Sequence, residues 1–119
     1  MSDLKATIYH NPRCSKSRSS LQILNEHNVA TDEVRYLQTP PSKQELAELC
    51  RLMGLKPAQI VRRGETVFKE LDLAEAQLTD DEWLDILIAN PILIERPIVK
   101  IGDKAVMGRP PENVLQLLQ

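Results

Sequence analysis

The stretch IYHNPRCSKSR, residues 8–18, decides how the chain is read. Its first residues end an alternating run, KATIYH (5–10), of the kind that forms a short strand. NPRCSKS breaks the alternation. Helical spacing resumes at Ser17 or just before it, with Leu21, Ile23 and Leu24 as candidate buried positions. DEVRYL (32–37) reads as a second strand, so the opening third is a β-α-β unit with a parallel pair. That order places Cys14 near a helix N-terminus, where free N–H groups and the helix dipole favour negative charge.

The middle of the chain is helical. In TPPSKQELAELCRLMG (39–54), Ser42 and Glu45 have capping-box spacing, Leu46, Leu49, Cys50 and Met53 form an apolar stripe, and Gly54 supplies the stop. KPAQIVRRG (56–64) reads as a further helical turn from Pro57 to Gly64. LTDDEWLDILIANP (78–91) repeats the start signal at Thr79 and Glu82 and stops at Asn90-Pro91. The last third changes period. RPIVKIGDKAVMG (96–108) holds two strand-like runs joined by Gly102-Asp103, and RPPENVLQLLQ (109–119) closes as a helix. The resulting order is β-α-β, a helical insert over roughly 42–92, then β-β-α. This is an α/β layout of thioredoxin-like type: a mixed four-stranded sheet with helices on both faces, in one domain spanning 1–119.

Composition narrows the function. With 119 residues, 42% hydrophobic and 27% charged, the chain suits one soluble domain. A net charge of −2 argues against broad nucleic-acid binding, although fifteen Lys and Arg remain for a local anion site. MSDLKATIYH has no apolar core of signal-peptide length, and charges and prolines interrupt the apolar region 83–101, so no membrane span is expected. Two cysteines 36 positions apart make neither a disulfide framework nor zinc spacing, so no metal is expected and a cytoplasmic location is.

Cys14 stands among Arg13, Lys16 and Arg18, and nearby cations favour the reactive thiolate. The two readings are a small apolar filler in a turn and a nucleophile; an exposed place between strand and helix favours the second. Cys50, on an apolar helical stripe, reads as inert core. Position 17 is Ser, which excludes a Cys-x-x-Cys exchange site. Position 20 is Ser, which excludes the phosphatase-type loop with arginine six residues after the cysteine. What remains is a one-thiol site whose second thiol comes from another molecule.

Arg96 and Arg109 each precede proline, at the start of one late strand and the end of the next. An antiparallel hairpin brings those ends side by side. Arg62 or Arg63 offers a third guanidinium, and such forks suit oxyanions, although surface arginines would look the same in sequence. His10 either stabilises the thiolate as a cation or caps a strand. Asn11 ties the loop through its amide, Ser15 caps the helix, and Ser17 caps or donates to the sulfur.

The segments IYHNPRCSKSR, MGLKPAQIVRR, LAEAQLTDDE, NPILIERPIV and GRPPENVL together cover nearly the whole chain in order, and they resemble the ArsC family of glutaredoxin-coupled arsenate reductases. The resemblance implies a thioredoxin-like fold, Cys14 as the catalytic thiol, His10 lowering its pKa, and Arg62, Arg96 and Arg109 binding the oxyanion. It further implies arsenate or a similar oxyanion as substrate, glutathione as co-substrate with no bound cofactor, and glutaredoxin as partner. Cys-Ser-Lys-Ser-Arg replaces the more usual Cys-Gly-Thr-Ser-Arg, a feature of the YfgD-like branch. The fold is shared with Spx-like regulators, which often carry the Cys-x-x-Cys absent here. By the same likeness, the Arg96–Pro97 bond is expected to be cis.

Overall fold

A computed structural model describes residues 5–11 and 13–118. The chain divides into two compact units, one formed by Met1–Thr39 with Arg96–Gln119 and the other by Pro40–Glu95. Each has its own elements and its own logic.

The first unit contains β1 (Lys5–His10), α1 (Ser15–Glu26), β2 (Ala30–Arg35), β3 (Ile98–Ile101), β4 (Lys104–Met107) and a 3₁₀ helix over Pro111–Leu118. Sheet order is β2-β1-β3-β4. Strand β1 pairs parallel with β2, with His10 opposite Arg35, and antiparallel with β3, with Tyr9 opposite Ile98. The hairpin pairs Ile98 with Met107 and turns through Gly102, whose φ of 60° lies in the left-handed region that glycine adopts without strain.

Its core joins Ala6, Ile8, Val99 and Ile101 of the sheet to Leu24 of α1, Val29, and Val114 and Leu117 of the C-terminal helix. Fully burying a side chain such as Leu24 contributes roughly 1.5–3 kcal/mol. The inner face of α1 is narrower than its leucines imply. Leu21 and Ile23 are only partly buried, whereas Ser17 and Ser20 are fully buried with Leu24. Close packing explains the small residues: a Cβ on Gly108 would lie 2.5 Å from Ser20 Oγ and 2.8 Å from Pro97 Cγ. Only hydrogen fits there.

The second unit contains α2 (Lys43–Met53), a 3₁₀ turn over Pro57–Ile60, α3 (Thr66–Glu70), α4 (Asp80–Ala89) and a 3₁₀ turn over Pro91–Leu93. Both expected capping boxes form. Ser42 Oγ accepts from the Glu45 N–H at 3.1 Å, Thr79 Oγ1 accepts from the Glu82 N–H at 3.1 Å, and each glutamate accepts back. Gly54 ends α2 at a φ of 67°. Lys43 Nζ on α2 meets Asp81 and Asp85 of α4 at 2.8 and 2.9 Å.

The helical turn expected to run from Pro57 to Gly64 stops instead at Ile60. Val61 pairs with Ile94 in an isolated antiparallel bridge. The Arg62 N–H donates to the Leu93 carbonyl and the Glu95 N–H to the Ile60 carbonyl, both at 2.7 Å. These groups find partners more than thirty positions away rather than in a helical turn, which is why local spacing misjudged the segment. The five-residue α3 is too short to show a helical period and was not anticipated.

Candidate active site

Cys14 occupies the N-cap of α1, with extended backbone angles of φ −88° and ψ 125°. The expected cap, Ser15, is instead the first helical residue. The turn before it is held by Asn11, whose carbonyl accepts from the Cys14 N–H at 2.9 Å and whose Oδ1 accepts from the Arg13 N–H at 3.0 Å. The Asn11 N–H in turn donates to the buried Ser17 Oγ at 3.3 Å. Asn11 thus ties the loop as its sequence position implied.

Serine and aspartate at an N-cap offer an oxygen to the free N–H groups of the first turn. Here a sulfur stands in that place. An uncharged thiol makes no conventional capping bond, but a thiolate is a good acceptor for the N–H groups facing it. Burial on its own raises the Cys14 pKa. The backbone N–H groups of Ser17 and Lys16, followed by the hydrogen bond and charge of Arg96, outweigh that effect and hold it below its ordinary value of 9.0. Ser17 therefore acts on the sulfur through its backbone, while its hydroxyl accepts from Asn11.

The hairpin brings Arg96 and Arg109 together, as expected. Arg109 Nη1 donates to the Arg96 carbonyl at 3.2 Å. The Gly108 N–H donates to the Pro97 carbonyl at 2.8 Å, and Asn113 Nδ2 donates to the carbonyls of Met107 and Arg109. Both Arg96–Pro97 and Arg109–Pro110 are cis, the first as expected. The Cys14 sulfur, the Arg96 guanidinium and the Ser17 and Lys16 N–H groups thus form one anion-attracting cluster within the first unit.

His10 ends β1 and is only 2% exposed. Its Nε2 lies 3.0 Å from Glu33 Oε1 on β2, an ion-pair distance, yet neither ring nitrogen has a well-aligned hydrogen bond. Burial lowers its pKa below 6.5, and Glu33 offsets this only partly, so the ring is neutral at neutral pH. Arg62 lies in the second unit, bonded to Glu65 and Glu95. Its neighbour Arg63 instead places its guanidinium 5.4 Å from the Phe68 ring centre. Cys50 is buried in α2, and burial, with a smaller contribution from Asp80, pushes its thiol up to about 11.

Sequence reasoning missed several contributors. Lys16 acts through its backbone, which no side-chain motif reveals. Glu33 and Glu95 are distant in sequence from the residues they meet. The Arg62–Glu65 pair alone had a usable signal, its i, i+3 spacing. Among the described residues, no group of His, Cys, Asp and Glu is arranged to hold a metal, and no helix is long and apolar enough to cross a membrane.

Residues 9–117 match the ArsC family. YfgD from Escherichia coli K12 is 44% identical over 112 residues, covering 93% of this chain and 94% of that protein. An arsenate reductase from Neisseria meningitidis serogroup B is 43% identical, over 93% of this chain and 96% of the relative. The solved structure of an arsenate reductase from Vibrio cholerae superposes with a TM-score of 0.91 at 42% identity, covering 97% of this chain and 98% of that one.

Proposed function

Because this chain belongs to the ArsC family, with its thioredoxin-like α/β fold, we propose that it reduces arsenate to arsenite through the single thiolate of Cys14. The observation that carries the reading is a thiol at a helix N-cap, held below its ordinary pKa by backbone N–H groups and Arg96. Arsenate is anionic and repels a thiolate, so cations at the site must offset its charge before sulfur and arsenic can meet. Arg96 and Arg109 supply that charge, and Arg62 is the third arginine carried over by family resemblance. His10 takes part as a neutral ring, and the Ser17 N–H steadies the sulfur whenever it is anionic.

Cys14 attacks arsenic and one oxygen leaves as water. Reduction from pentavalent to trivalent arsenic needs two electrons, which two thiols supply by becoming one disulfide. Glutathione is the second thiol in this reading. It yields arsenite and a Cys14–glutathione mixed disulfide, which glutaredoxin then resolves by thiol–disulfide exchange. Cys50 is a poor internal substitute, since its thiol is buried and ionises only near 11. The glutathione requirement fits a reducing cytoplasm. No bound cofactor enters the scheme.

Arsenate-dependent oxidation of glutathione by the purified protein, with glutaredoxin present, tests the reading directly. Turnover that requires both is expected. Sustained turnover with thioredoxin alone, or a Cys14–Cys50 disulfide trapped after arsenate, would replace this electron path. No turnover with any donor, while Cys14 remains reactive, would favour a different substrate or a regulatory role.

A further inference from the structure

Strand β1 ends at His10, and the loop that carries Cys14 begins directly after it. The Cys14 N–H folds back onto the Asn11 carbonyl at 2.9 Å, and the Asn11 N–H reaches the Ser17 hydroxyl in the first turn of α1. On the other side, Tyr9 pairs with Ile98 in antiparallel register, so His10 and Pro97 are the next positions along the two chains and Arg96 follows. His10 therefore stands at the end of the sheet that carries both Cys14 and Arg96. Its ring is buried, and Nδ1 has no hydrogen-bond partner among the described residues.

Glu33 decides which ring nitrogen holds the proton. Nε2 lies 3.0 Å from Glu33 Oε1. A bare Nε2 would set its lone pair against those of a carboxylate oxygen, whereas an Nε2–H is attracted even when imperfectly aligned. Burial, with the charge of Arg35 on β2 adding to it, disfavours a second ring proton, and Glu33 offsets this only partly. Nδ1 is then a bare acceptor. Leaving it unpaired in a buried place has a cost that an incoming O–H donor removes.

We propose that Glu33 is a specificity-determining positioning residue, which fixes His10 as the Nε2–H tautomer so that Nδ1 accepts a hydrogen bond from a hydroxyl-bearing oxyanion. This rests on the reading in which a tetrahedral oxyanion binds beside Cys14. Arsenate and phosphate bring an O–H to the site near neutral pH. Sulfate has none, and it would set oxygen lone pairs against the lone pair of Nδ1. Size and charge separate these ions weakly; the proton separates them strongly.

The chain's two histidines give opposite expectations in a long-range proton–nitrogen NMR spectrum. His10 should show the Nε2–H tautomer. Neutral His27, whose Nδ1 donates to the Ile23 carbonyl at 2.9 Å, should show Nδ1–H. Shielding of Cys14 from iodoacetamide is then compared at mildly alkaline pH, where hydrogen arsenate, hydrogen phosphate and sulfate are all dianions. The first two should shield at concentrations about tenfold or more below that of sulfate, the range for one buried acceptor left unpaired. Glu33→Gln removes a charge from a half-exposed side chain, and its amide can donate to Nε2 as well as accept from it. Once thermal melts show this variant folded, the Nδ1–H form of His10 should grow in and the preference over sulfate should shrink to about threefold or less. Equal shielding by sulfate and phosphate in the parent protein, an Nδ1–H or doubly protonated His10 ring there, or an unchanged preference in the variant would overturn the proposal while the oxyanion reading stands. No shielding by any of the three anions, with Cys14 still alkylated, would remove the oxyanion reading and this proposal with it.

Discussion

The chain holds the same side chain in two opposite settings. Cys14 stands at the open end of α1, and Cys50 sits in the second turn of α2 on its buried stripe. Within a helix the backbone N–H groups are spent on carbonyls one turn back, so a thiol there gains only the cost of burial. At the N-cap those groups are unspent and stabilise the anion. Cys14 is therefore held below 9.0 and Cys50 is pushed up to about 11. Burial raises both thiols; at Cys14 the Ser17 and Lys16 N–H groups and Arg96 outweigh it, whereas at Cys50 nothing opposes it and Asp80 adds to it.

The largest expected effect separates the two thiols by activity. Cys14→Ser should abolish arsenate reduction, a loss of about a thousandfold or more, since a serine hydroxyl is a far weaker nucleophile at neutral pH. Cys50→Ala should keep most of it. An assay of glutathione oxidation checks both, and strong dependence on Cys50 would break the contrast.

A second effect lies in the pH dependence of stability, where the two thiols have opposite signs. Between 9.0 and about 11 the folded chain keeps the Cys50 proton that the unfolded chain has lost. Stability should fall across that window by on the order of 2 kcal/mol, and this fall should vanish in Cys50→Ala. For Cys14 the folded pKa is depressed, so its contribution is present above 9.0 and is lost as pH falls through the folded value. Urea unfolding midpoints from pH 7 to 11 for both single variants resolve the two slopes.

Gly108→Ala tests the packing that holds α1 in place. The added methyl would collide with Ser20 Oγ and Pro97 Cγ. A destabilisation of about 1–2 kcal/mol is expected, with slower alkylation of Cys14 and none of the pH slope from Cys50 altered. Chemical denaturation and iodoacetamide kinetics measure the two consequences separately. The smallest effect belongs to Arg96→Ala. It should raise the midpoint of Cys14 alkylation against pH, but only modestly, because the Ser17 and Lys16 N–H groups act more strongly and stay in place. A shift that erased the whole lowering would make the arginine, rather than the helix end, the main cause.

Much of this contrast was legible in the sequence. The stripe around Cys50, the capping boxes at Ser42 and Thr79, and the hairpin turn at Gly102-Asp103 all rest on local periods and turn chemistry. The approach of Arg96 to Arg109 followed from hairpin geometry alone. What local reading missed depended on distant partners. Ser17 read as a cap or a donor to the sulfur, yet its buried hydroxyl accepts from the Asn11 N–H, and the burial of Ser20 depends on Gly108, 88 positions away. Val61 looked helical until Ile94 claimed it. Glu33 gave no sign that it would meet His10, because only the parallel pairing of β1 with β2, which sets Glu33 opposite Ile8 and Arg35 opposite His10, brings the carboxylate within reach of the ring.

That Val61–Ile94 bridge also bears on how the chain finds its fold. Pairing β1 with β3 joins Ala6 to Ile101 and Tyr9 to Ile98, contacts separated by most of the sequence. Closing such a long loop has an entropic cost that rises with the logarithm of the free chain between its ends. Once Val61 and Ile94 have met, the residues between them no longer count toward that free length. The saving is only a few tenths of a kcal/mol by this scaling, less than a factor of two in rate. Local order in the insert therefore gives the sheet a slight head start, and most of the search for β3 must still be made by the chain as a whole.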